Sequence, residues 1–402
     1  MKIALVSESY PPMSGGVATS AQRVARQLRR AGCGVVVLTY DHLRPLTEDD
    51  FCYDETDGDV HVYRVGPFFL KNETMKQLPS EPSEKYLASL RRRAYNQMLG
   101  ILKKESPDIL LSFYLLNSGW IAQMLANELD LPCVAGVRGN DIGRNIFHTS
   151  RFAVTKWVLD EADAVVCVNE HLRRRATTAF KETRGKTVSI ANGFDCGRAD
   201  LNDRQDRSVV EAWGWSGQDL ILTFIGTLRE KKGVSVLLKA LQAVNREGPR
   251  VRLLVVGPEI DGAEKLILGT VWKQLVDSGV IHVTGQLPRD RVIYHASVAD
   301  AVCIPSLDDG MANGLLEGMA IGLCPITTTV LSDVVTDGVN GLVVEPGSAE
   351  ELAAAFEKLY SDRALIGLYG ARSAALIRES FTPEREAQRY IELFEKVLER
   401  RK

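Results

Sequence analysis

Short apolar runs alternate with longer segments of helical periodicity along almost the whole chain. The first run covers residues 3–7, and in the segment after it Val17, Ala21, Val24 and Leu28 recur at helical spacing. Runs of the same kind follow at 35–39, 60–65, 109–113, 133–137, 164–168 and 188–190. Because helical segments separate most of these runs, the pattern predicts βαβ units and a parallel, doubly wound sheet.

The pattern is interrupted between residues 192 and 216. The sequence N-G-F-D at 192–195 is typical of a turn, and the residues after it are polar with little periodicity. A second series of apolar runs follows at 220–225, 251–256, 280–283, 301–304 and 341–344. Since 402 residues exceed one ordinary hydrophobic core, we predict two Rossmann-like α/β domains, at 1–195 and 196–381.

The last segment, residues 382–402, carries a helix signal of its own. It begins T-P-E, which supplies an N-cap, a proline at the first helical position and an acid in the first turn. Apolar residues at helical spacing follow, namely Tyr390, Phe394, Val397 and Leu398. This stripe indicates that one face of the helix is buried.

Charge and composition exclude several functional classes. The formal net charge is −3 and the pI is near 6.2, which gives no electrostatic basis for nucleic-acid binding. Seven cysteines without a C-x-x-C pair indicate a reducing compartment. No apolar run reaches the roughly 18 residues of a membrane span. These features predict a cytoplasmic protein. The six histidines show no metal-ligand spacing, so we expect no metal site.

The functional prediction depends on residues 300–322. Residues 301–304 predict a short buried strand, and a turn follows it. Asn313 is a favourable N-cap for a helix over 315–321, which Gly322 would end. The segment therefore predicts a strand, a loop and a helix N-terminus at the edge of a parallel sheet.

Two carboxylates, Asp309 and Glu317, flank this predicted helix start eight residues apart. Backbone N–H groups at a helix N-terminus bind anions, and a carboxylate beside them can accept hydrogen bonds from a ribose diol. Taken singly, each residue is also explained without a ligand, Asp309 as a turn residue and Glu317 as a complement to the helix dipole.

Two further loops, one in each predicted domain, follow the first strand of their domain. In the first domain, Gly15 and Gly16 allow a ligand to approach the backbone at a helix start. In the second domain, Arg229, Lys231 and Lys232 come soon after a strand and suggest a diphosphate clamp. The alternatives are a tight turn for the glycines and a solvated basic loop for the cations.

The string D-G-M-A-N-G-L-L-E-G-M-A at 309–320 resembles the Glu-x7-Glu signature of retaining glycosyltransferases of the GT-B fold, family 4. That family often has E-G-x-P-N-x-L-L-E-A-M-A there, so the departures are Asp309, Ala312 and Gly318. The resemblance extends over nearly the whole chain. It implies two Rossmann-like domains facing a central cleft, with the helix at 382–402 packing back on the first domain.

The resemblance implies a nucleoside diphosphate sugar as the donor substrate, with a UDP-sugar preferred and a GDP-sugar as the alternative, and no further cofactor. Glu317 would bind the ribose hydroxyls and Asp309 the sugar hydroxyls. Lys232 matches the lysine that holds the leaving diphosphate. Thr227 stands where the family has an arginine, and we expect Arg229 to take the place of that arginine.

Other donor contacts are assigned by the resemblance to the predicted helix start, to a strand end of the second domain and to two loops of the first. These residues are Asn313, Gly314, Leu315, Gly285, Gly15, Gly16, Arg138 and Asp141. Many relatives have a histidine where Arg138 stands, and an arginine cannot act as a base at neutral pH.

The sequence thus predicts a retaining, metal-independent transferase that moves a sugar to an acceptor hydroxyl. The acceptor remains open between a small molecule, a glycan and a lipid-linked compound. Residues 66–83 are irregular and include Phe68, Phe69 and Leu70, which makes a peripheral membrane contact a further expectation.

Two alternatives remain beside the transferase. A nucleotide-sugar epimerase of the same fold would need no acceptor, so product analysis without acceptor distinguishes it. A non-catalytic nucleotide-sugar binding protein is the other, and the departures at Thr227 and Arg138 make it arguable. Binding without turnover over a broad acceptor panel would favour it.

Overall fold

The computed structural model describes residues 1–13, 15–41, 52–66, 84–195, 205–248 and 250–402. It divides into two compact units, one of Met1–Gly193 with Pro383–Lys402 and one of Phe194–Thr382. Residues 67–83, which include Phe68, Phe69 and Leu70 of the expected membrane contact, lie outside the described residues.

The first unit contains an eight-stranded sheet. Its strands are β1 (Lys2–Ser7), β2 (Gly34–Tyr40), β3 (Cys52–Asp57), β4 (Val60–Val65), β5 (Ile109–Phe113), β6 (Cys133–Val137), β7 (Ala164–Cys167) and β8 (Thr187–Ser189). The spatial order is β3-β4-β2-β1-β5-β6-β7-β8. All neighbours are parallel except β3, which pairs antiparallel with β4. The parallel α/β sheet predicted from the apolar runs is confirmed.

Both faces of this sheet are covered, which explains why its strands are almost continuously apolar. Along β1, Ile3 and Leu5 point into one core, and Ala4 and Val6 point into another. The polar strand β3, of sequence CYDETD, was not predicted, because it lies at the sheet edge and has no such pattern.

The described part of the unit's main segment, Met1–Gly193, has six helices on the faces and at the ends of these strands. They are α1 (Gly16–Arg30), α2 (Glu84–Glu105), α3 (Trp120–Leu129), α4 (Asn140–Gly143), α5 (Thr149–Glu161) and α6 (Glu170–Ala179). Helix α1 is amphipathic, and its buried positions include the predicted Ala21, Val24 and Leu28. The helical spacing in the sequence therefore identified its buried face correctly.

The second unit contains a six-stranded, wholly parallel sheet. Its strands are β9 (Leu220–Ile225), β10 (Val251–Val256), β11 (Ile281–Val283), β12 (Ala301–Ile304), β13 (Cys324–Thr328) and β14 (Leu342–Val344), in the order β11-β10-β9-β12-β13-β14. Strand β13 was missed, because Pro325 argues against an interior strand. Pro325 stands near the strand start, and the Thr327 hydroxyl donates to the Ile304 carbonyl farther along.

Six helices lie in the part of the second unit that the structure describes. They are α7 (Val234–Val244), α8 (Gly262–Asp277), α9 (Arg289–Ala296), α10 (Asn313–Ala320), α11 (Ala349–Ser361) and α12 (Ala364–Ser380). Helix α10 packs so closely on β12 that a Cβ at Gly318 would lie 2.5 Å from the Val302 Cβ. The close packing therefore accounts for a glycine, and not the family's alanine, at this position.

The last helix, α13 (Pro383–Arg400), belongs to the first unit. Tyr390, Phe394 and Val397 are buried in the same core as Ile3 and Leu5. Arg23 of α1 donates to both carboxylate oxygens of Glu386, at 2.7 and 3.0 Å. Glu386 also accepts a hydrogen bond from the Gly193 amide at 3.0 Å, so one buried carboxylate joins α1, α13 and the last residue of the unit's main segment.

Replacing Glu386 with glutamine is expected to lower the free energy of unfolding by about 2 kcal/mol or more. The Arg23 guanidinium would remain partly buried without its negative partner. Thermal unfolding followed by circular dichroism should show the loss, whereas Glu399→Gln on the exposed face of the same helix should change little. Equal unfolding midpoints for the two variants would contradict a stabilising role of this ion pair.

Candidate active site

The loops after β9 and β12 lie side by side at the carboxyl end of the second sheet. Strand β9 pairs with β10 on one side and with β12 on the other, so the strand order changes direction there. In open parallel α/β sheets, ligands bind at this kind of position. The loop after β9 carries Arg229, Lys231 and Lys232, and the loop after β12 carries Asp309.

Backbone contacts join these two loops. The Lys231 carbonyl accepts hydrogen bonds from the amides of Leu307 and Asp308, at 2.8 and 3.1 Å. Gly233 has a φ of 74°, and a Cβ there would lie 2.0 Å from the Pro305 carbonyl oxygen. Only glycine fits such a position, so the sequence of the β9 loop permits its close approach to the β12 loop.

Asp309 is the centre of a charged cluster between the two loops. Its Oδ2 lies 2.9 Å from the Lys232 Nζ, and its Oδ1 lies 4.0 Å from the Lys231 Nζ. Oδ1 also accepts a hydrogen bond from the Gly310 amide. The carboxyl is almost fully buried, and burial alone would raise its pKa, but the Lys232 and Lys231 charges outweigh burial and lower the pKa. Asp309 is therefore ionised at neutral pH.

Arg229 does not join this cluster. Its Nη1 donates to Asp261 at 2.8 Å and to Glu264 at 3.4 Å, both on the chain segment that begins α8. The Glu230 amide and the Arg229 guanidinium together hold the pKa of Glu264 below its ordinary value. Of the two cations near Lys232, it is Lys231, not the predicted Arg229, that lies beside Asp309.

Helix α10 begins two residues earlier than predicted. Asn313 is its first residue, and the N-cap is Ala312, whose carbonyl accepts from the amides of Leu315 and Leu316 at 2.9 and 3.3 Å. The side chain of Asn313 therefore does not cap the helix, and the Leu315 amide already has an acceptor. The amides of Asn313 and Gly314 precede these first helical bonds, as expected for an N-terminal anion site.

The exposed face of α10 carries the second motif carboxylate. Asn313 and Glu317 are four residues apart and partly exposed, whereas Leu315, Leu316 and Met319 are buried. Gly314 lies against the end of β9, where a Cβ would be 2.3 Å from the Ile225 carbonyl oxygen. The α10 N-terminus, Glu317 and the β9 loop are consequently neighbours at one edge of the sheet.

Glycines shape the remaining strand ends of this unit. Gly285 follows β11 with a φ of 75°, and a Cβ added to it would meet no atom within 4 Å. Gly257 follows β10 and approaches Gly226 so closely that a Cβ would lie 2.2 Å from the Gly226 carbonyl oxygen. The contact of Gly257 with Gly226 joins loops that are far apart along the chain, so no local pattern in the sequence specifies it.

In the first unit, the predicted glycines stand at the start of α1. Gly16 is the first residue of the helix, and Gly15 is its N-cap with a φ of 133°. No side chain among the described residues caps this end, and a Cβ added to either glycine would meet none of their atoms within 4 Å. Gly15 and Gly16 thus stand at the helix start, as the strand-to-helix pattern predicted, and their contact with a ligand stays a prediction. Ser14 lies outside the described residues.

Arg138 and Asp141 follow β6 but are engaged within the unit. The Arg138 guanidinium lies 4.5 Å from the Phe113 ring centre and donates to Asn192 Oδ1 at 2.8 Å. Asp141 is fully buried and accepts from the amides of Leu115 and Arg138, at 2.8 and 2.7 Å. Burial raises the pKa of Asp141 to about 6 despite these two amides. In this geometry both side chains stabilise the loop, and their contact with the donor stays a prediction.

The described part of the chain offers neither a metal centre nor a membrane span. No group of three or more histidine, cysteine, aspartate or glutamate side chains there is arranged to hold a metal ion. No helix among the same residues is long and apolar enough to cross a membrane.

The chain matches two family models and is similar to known proteins over most of its length. "Glycosyl transferase 4-like domain" matches residues 15–193, and "Glycosyl transferases group 1" matches residues 219–362. Glycogen synthase of Mycobacterium tuberculosis (strain ATCC 25618 / H37Rv) is 25% identical over 388 residues, which cover 90% of this chain and 87% of that protein.

Solved structures share the fold at low identity. Sucrose-phosphate synthase from Thermosynechococcus elongatus matches with a TM-score of 0.73 and 17% identity over 99% of both chains. Anabaena Alr3699/HepE in complex with UDP and glucose matches with a TM-score of 0.69 and 17% identity, over 98% of this chain and 100% of that one. The solved structures show that the fold is GT-B. The two family models show that the chain belongs to the group 1, or family 4, glycosyltransferases, enzymes that use nucleotide sugars.

Proposed function

We propose that this glycosyltransferase is a retaining, metal-independent enzyme that moves a sugar from a nucleoside diphosphate sugar to an acceptor hydroxyl. The observation that carries the proposal is the cluster of Lys232, Lys231 and Asp309 beside the N-terminus of α10. It gathers fixed positive charge and backbone donors at the position where parallel α/β sheets bind ligands.

The cluster suits a leaving diphosphate. As the bond between the anomeric carbon and the diphosphate breaks, negative charge develops on the departing phosphate oxygens. The Lys232 ammonium is held by Asp309 at 2.9 Å and so is in place before the reaction begins. Such preorganised charge stabilises the transition state without a reorganisation cost. The amides of Asn313 and Gly314 would add neutral donors to the same group.

Glu317 would bind the ribose of the donor. It is partly exposed on the outer face of α10, one helical turn from Asn313. A carboxylate there can accept hydrogen bonds from both hydroxyls of a ribose diol. Gly285 would lie against the nucleobase through its backbone, and Gly15 and Gly16 would face the donor phosphate and the acceptor, as the family resemblance implies.

Retention follows from attack on the face from which the diphosphate leaves. The acceptor oxygen bonds to the anomeric carbon, the bond to the diphosphate oxygen breaks, and the acceptor proton passes to the departing diphosphate. This path needs no protein nucleophile. In this mechanism Asp309 holds Lys232 in place and binds the sugar hydroxyls. Its buried, ionised carboxylate is suited to both roles.

The donor base is proposed as uracil, with guanine as the alternative. One structural neighbour, Anabaena Alr3699/HepE, is described in complex with UDP-glucose. UDP-glucose is therefore the first donor to test here. The acceptor is proposed as a small molecule, a glycan or a lipid-linked compound, and the enzyme as cytoplasmic with an optional peripheral membrane contact.

The decisive experiment is a transfer assay with UDP-glucose and GDP-glucose over an acceptor panel. Release of nucleoside diphosphate should require an acceptor, and nuclear magnetic resonance of the product should show the anomeric configuration of the donor. Inversion of that configuration would overturn the retaining mechanism. An altered sugar nucleotide without acceptor would indicate an epimerase.

A non-catalytic binding protein is the second candidate, and one observation favours it. Thr227 replaces the family arginine, and Arg229, its nearest replacement, is engaged by Asp261 and Glu264. Calorimetric binding of UDP-glucose with no turnover over the whole acceptor panel would support this alternative against the transferase.

Activity is expected to survive excess EDTA. The diphosphate charge is assigned to Lys232, Lys231 and helix amides, so no divalent ion is needed to balance it. Initial rates with and without chelator should agree within error. Complete loss of activity that manganese or magnesium restores would contradict the metal-independent mechanism.

A further inference from the structure

A cavity of about 300 Å³ lies in the first unit between the edge strand β8 and α13. Val188 of β8 and Leu393 and Val397 of α13 contribute apolar lining. We call it the β8–α13 pocket. It shares no residue with the loops after β9 and β12, so the donor site does not account for it.

Cations dominate the rim of the β8–α13 pocket. Arg389, Lys396 and Arg400 come from α13, at intervals of seven and four residues that place them on one helical face. Lys186 comes from the turn before β8, and Glu392 is the single acidic residue of the lining. Four cations around one carboxylate give a local excess of positive charge in a chain whose net charge is −3.

Within the described part of the unit, the four rim cations form no ion pair. Lys186 Nζ donates to the carbonyl oxygens of Asp160 and Ala162, both at 2.6 Å, and neither carbonyl carries a charge. Burial lowers the pKa of Lys186, although the negative charges of Asp160, Asp163 and Glu161 act in the opposite direction. The Glu392 carboxylate instead accepts a hydrogen bond from Gln388 Nε2 at 3.3 Å.

The rim cations of α13 also differ from two other arginines of the unit, Arg23 and Arg401. Within the described residues, Arg389, Lys396 and Arg400 make no hydrogen bond or ion pair. By contrast, Arg401 is paired with Asp163 at 2.8 Å, and Arg23 is paired with Glu386 at 2.7 Å. The three rim cations of α13 are thus exposed, carry no ion pair and lie around one cavity.

We propose that the β8–α13 pocket binds a small soluble organic phosphate. A phosphate monoester carries a charge of about −1.5 to −2 and three acceptor oxygens, which matches several convergent cations. Two of these cations are guanidinium groups, whose fork geometry favours phosphate. The volume is near the lower end of ligand pockets, about 300 to 1,000 Å³, so the ligand is small, and the apolar lining accepts its carbon skeleton.

Isothermal titration with glycerol 3-phosphate tests the proposal, with UDP present throughout to occupy the donor loops. The test variant is Arg389→Gln with Lys396→Gln, because glutamine keeps the helix and much of the side-chain length. The control is Lys103→Gln with Lys104→Gln, which removes the same charge from exposed positions of α2. Circular dichroism should show that both variants are folded.

Wild type and control are expected to bind glycerol 3-phosphate, and the test variant at least about tenfold more weakly. Binding to wild type should weaken as salt rises from about 0.05 M to about 0.3 M, because ions screen the attraction. Uncharged glycerol should not bind. The proposal is overturned if wild type shows no binding up to about 10 mM, if the test variant binds like wild type, or if glycerol binds equally well.

Discussion

Replacing Glu317 with alanine is expected to weaken UDP and UDP-glucose binding by about 100-fold or more. The carboxylate is the intact acid of the family motif and lies on the exposed face of α10, one turn from Asn313. Each hydrogen bond from a ribose hydroxyl to a charged acceptor contributes about 1.5–3 kcal/mol, and the variant would lose both. Isothermal titration with each nucleotide measures the effect.

Two further variants separate this role from a structural one. Glu317→Gln keeps the shape and one acceptor oxygen, so its affinity should lie between those of wild type and the alanine variant. Glu379→Ala removes an exposed acid from the end of α12 and should leave nucleotide binding unchanged. If Glu317→Ala is folded and binds UDP as tightly as wild type, Glu317 is not the ribose ligand.

The architecture could be predicted because its signal is local. Strands covered on both faces are continuously apolar, and helices with one buried face repeat at helical spacing. The exceptions have physical reasons. Strand β3 is a polar edge strand, and β13 contains Pro325, which weakens the strand signal although its Thr327 hydroxyl bonds to the neighbouring strand.

The candidate site could be predicted only as a set of residues and not as a set of contacts. Asp309 and Glu317 were found together because one short motif contains both. The ion pair of Lys232 with Asp309 spans 77 residues, and the contact of Arg229 with Glu264 spans 35. Such pairs depend on which strands are neighbours, and no local pattern specifies that. For this reason the sequence favoured Arg229 as the second phosphate-binding cation and could not show that Lys231 lies beside Asp309.

The basic loop offers the sharpest test of the proposed chemistry. Relatives use an arginine and a lysine for the leaving diphosphate, but the arginine position here is Thr227. Lys231 and Lys232 both approach Asp309, whereas Arg229 is held by two acids of the α8 segment. The two lysines are therefore the cations that can share a diphosphate, with Asp309 fixing their positions.

Removing the Lys232 ammonium is expected to lower kcat/KM by about 1,000-fold, because this charge acts mainly on the transition state. Lys231→Ala should lower it by about tenfold or more, since its ammonium is more exposed and farther from Asp309. Arg229→Ala should stay within about threefold of wild type, as should the control Lys239→Ala on the exposed face of α7. Steady-state kinetics on the four variants, with UDP affinity measured in parallel, decide between the cations. A large loss for Arg229→Ala with little change for Lys231→Ala would show that Arg229 leaves its acidic partners when the donor binds, and would restore it as the replacement for the family arginine.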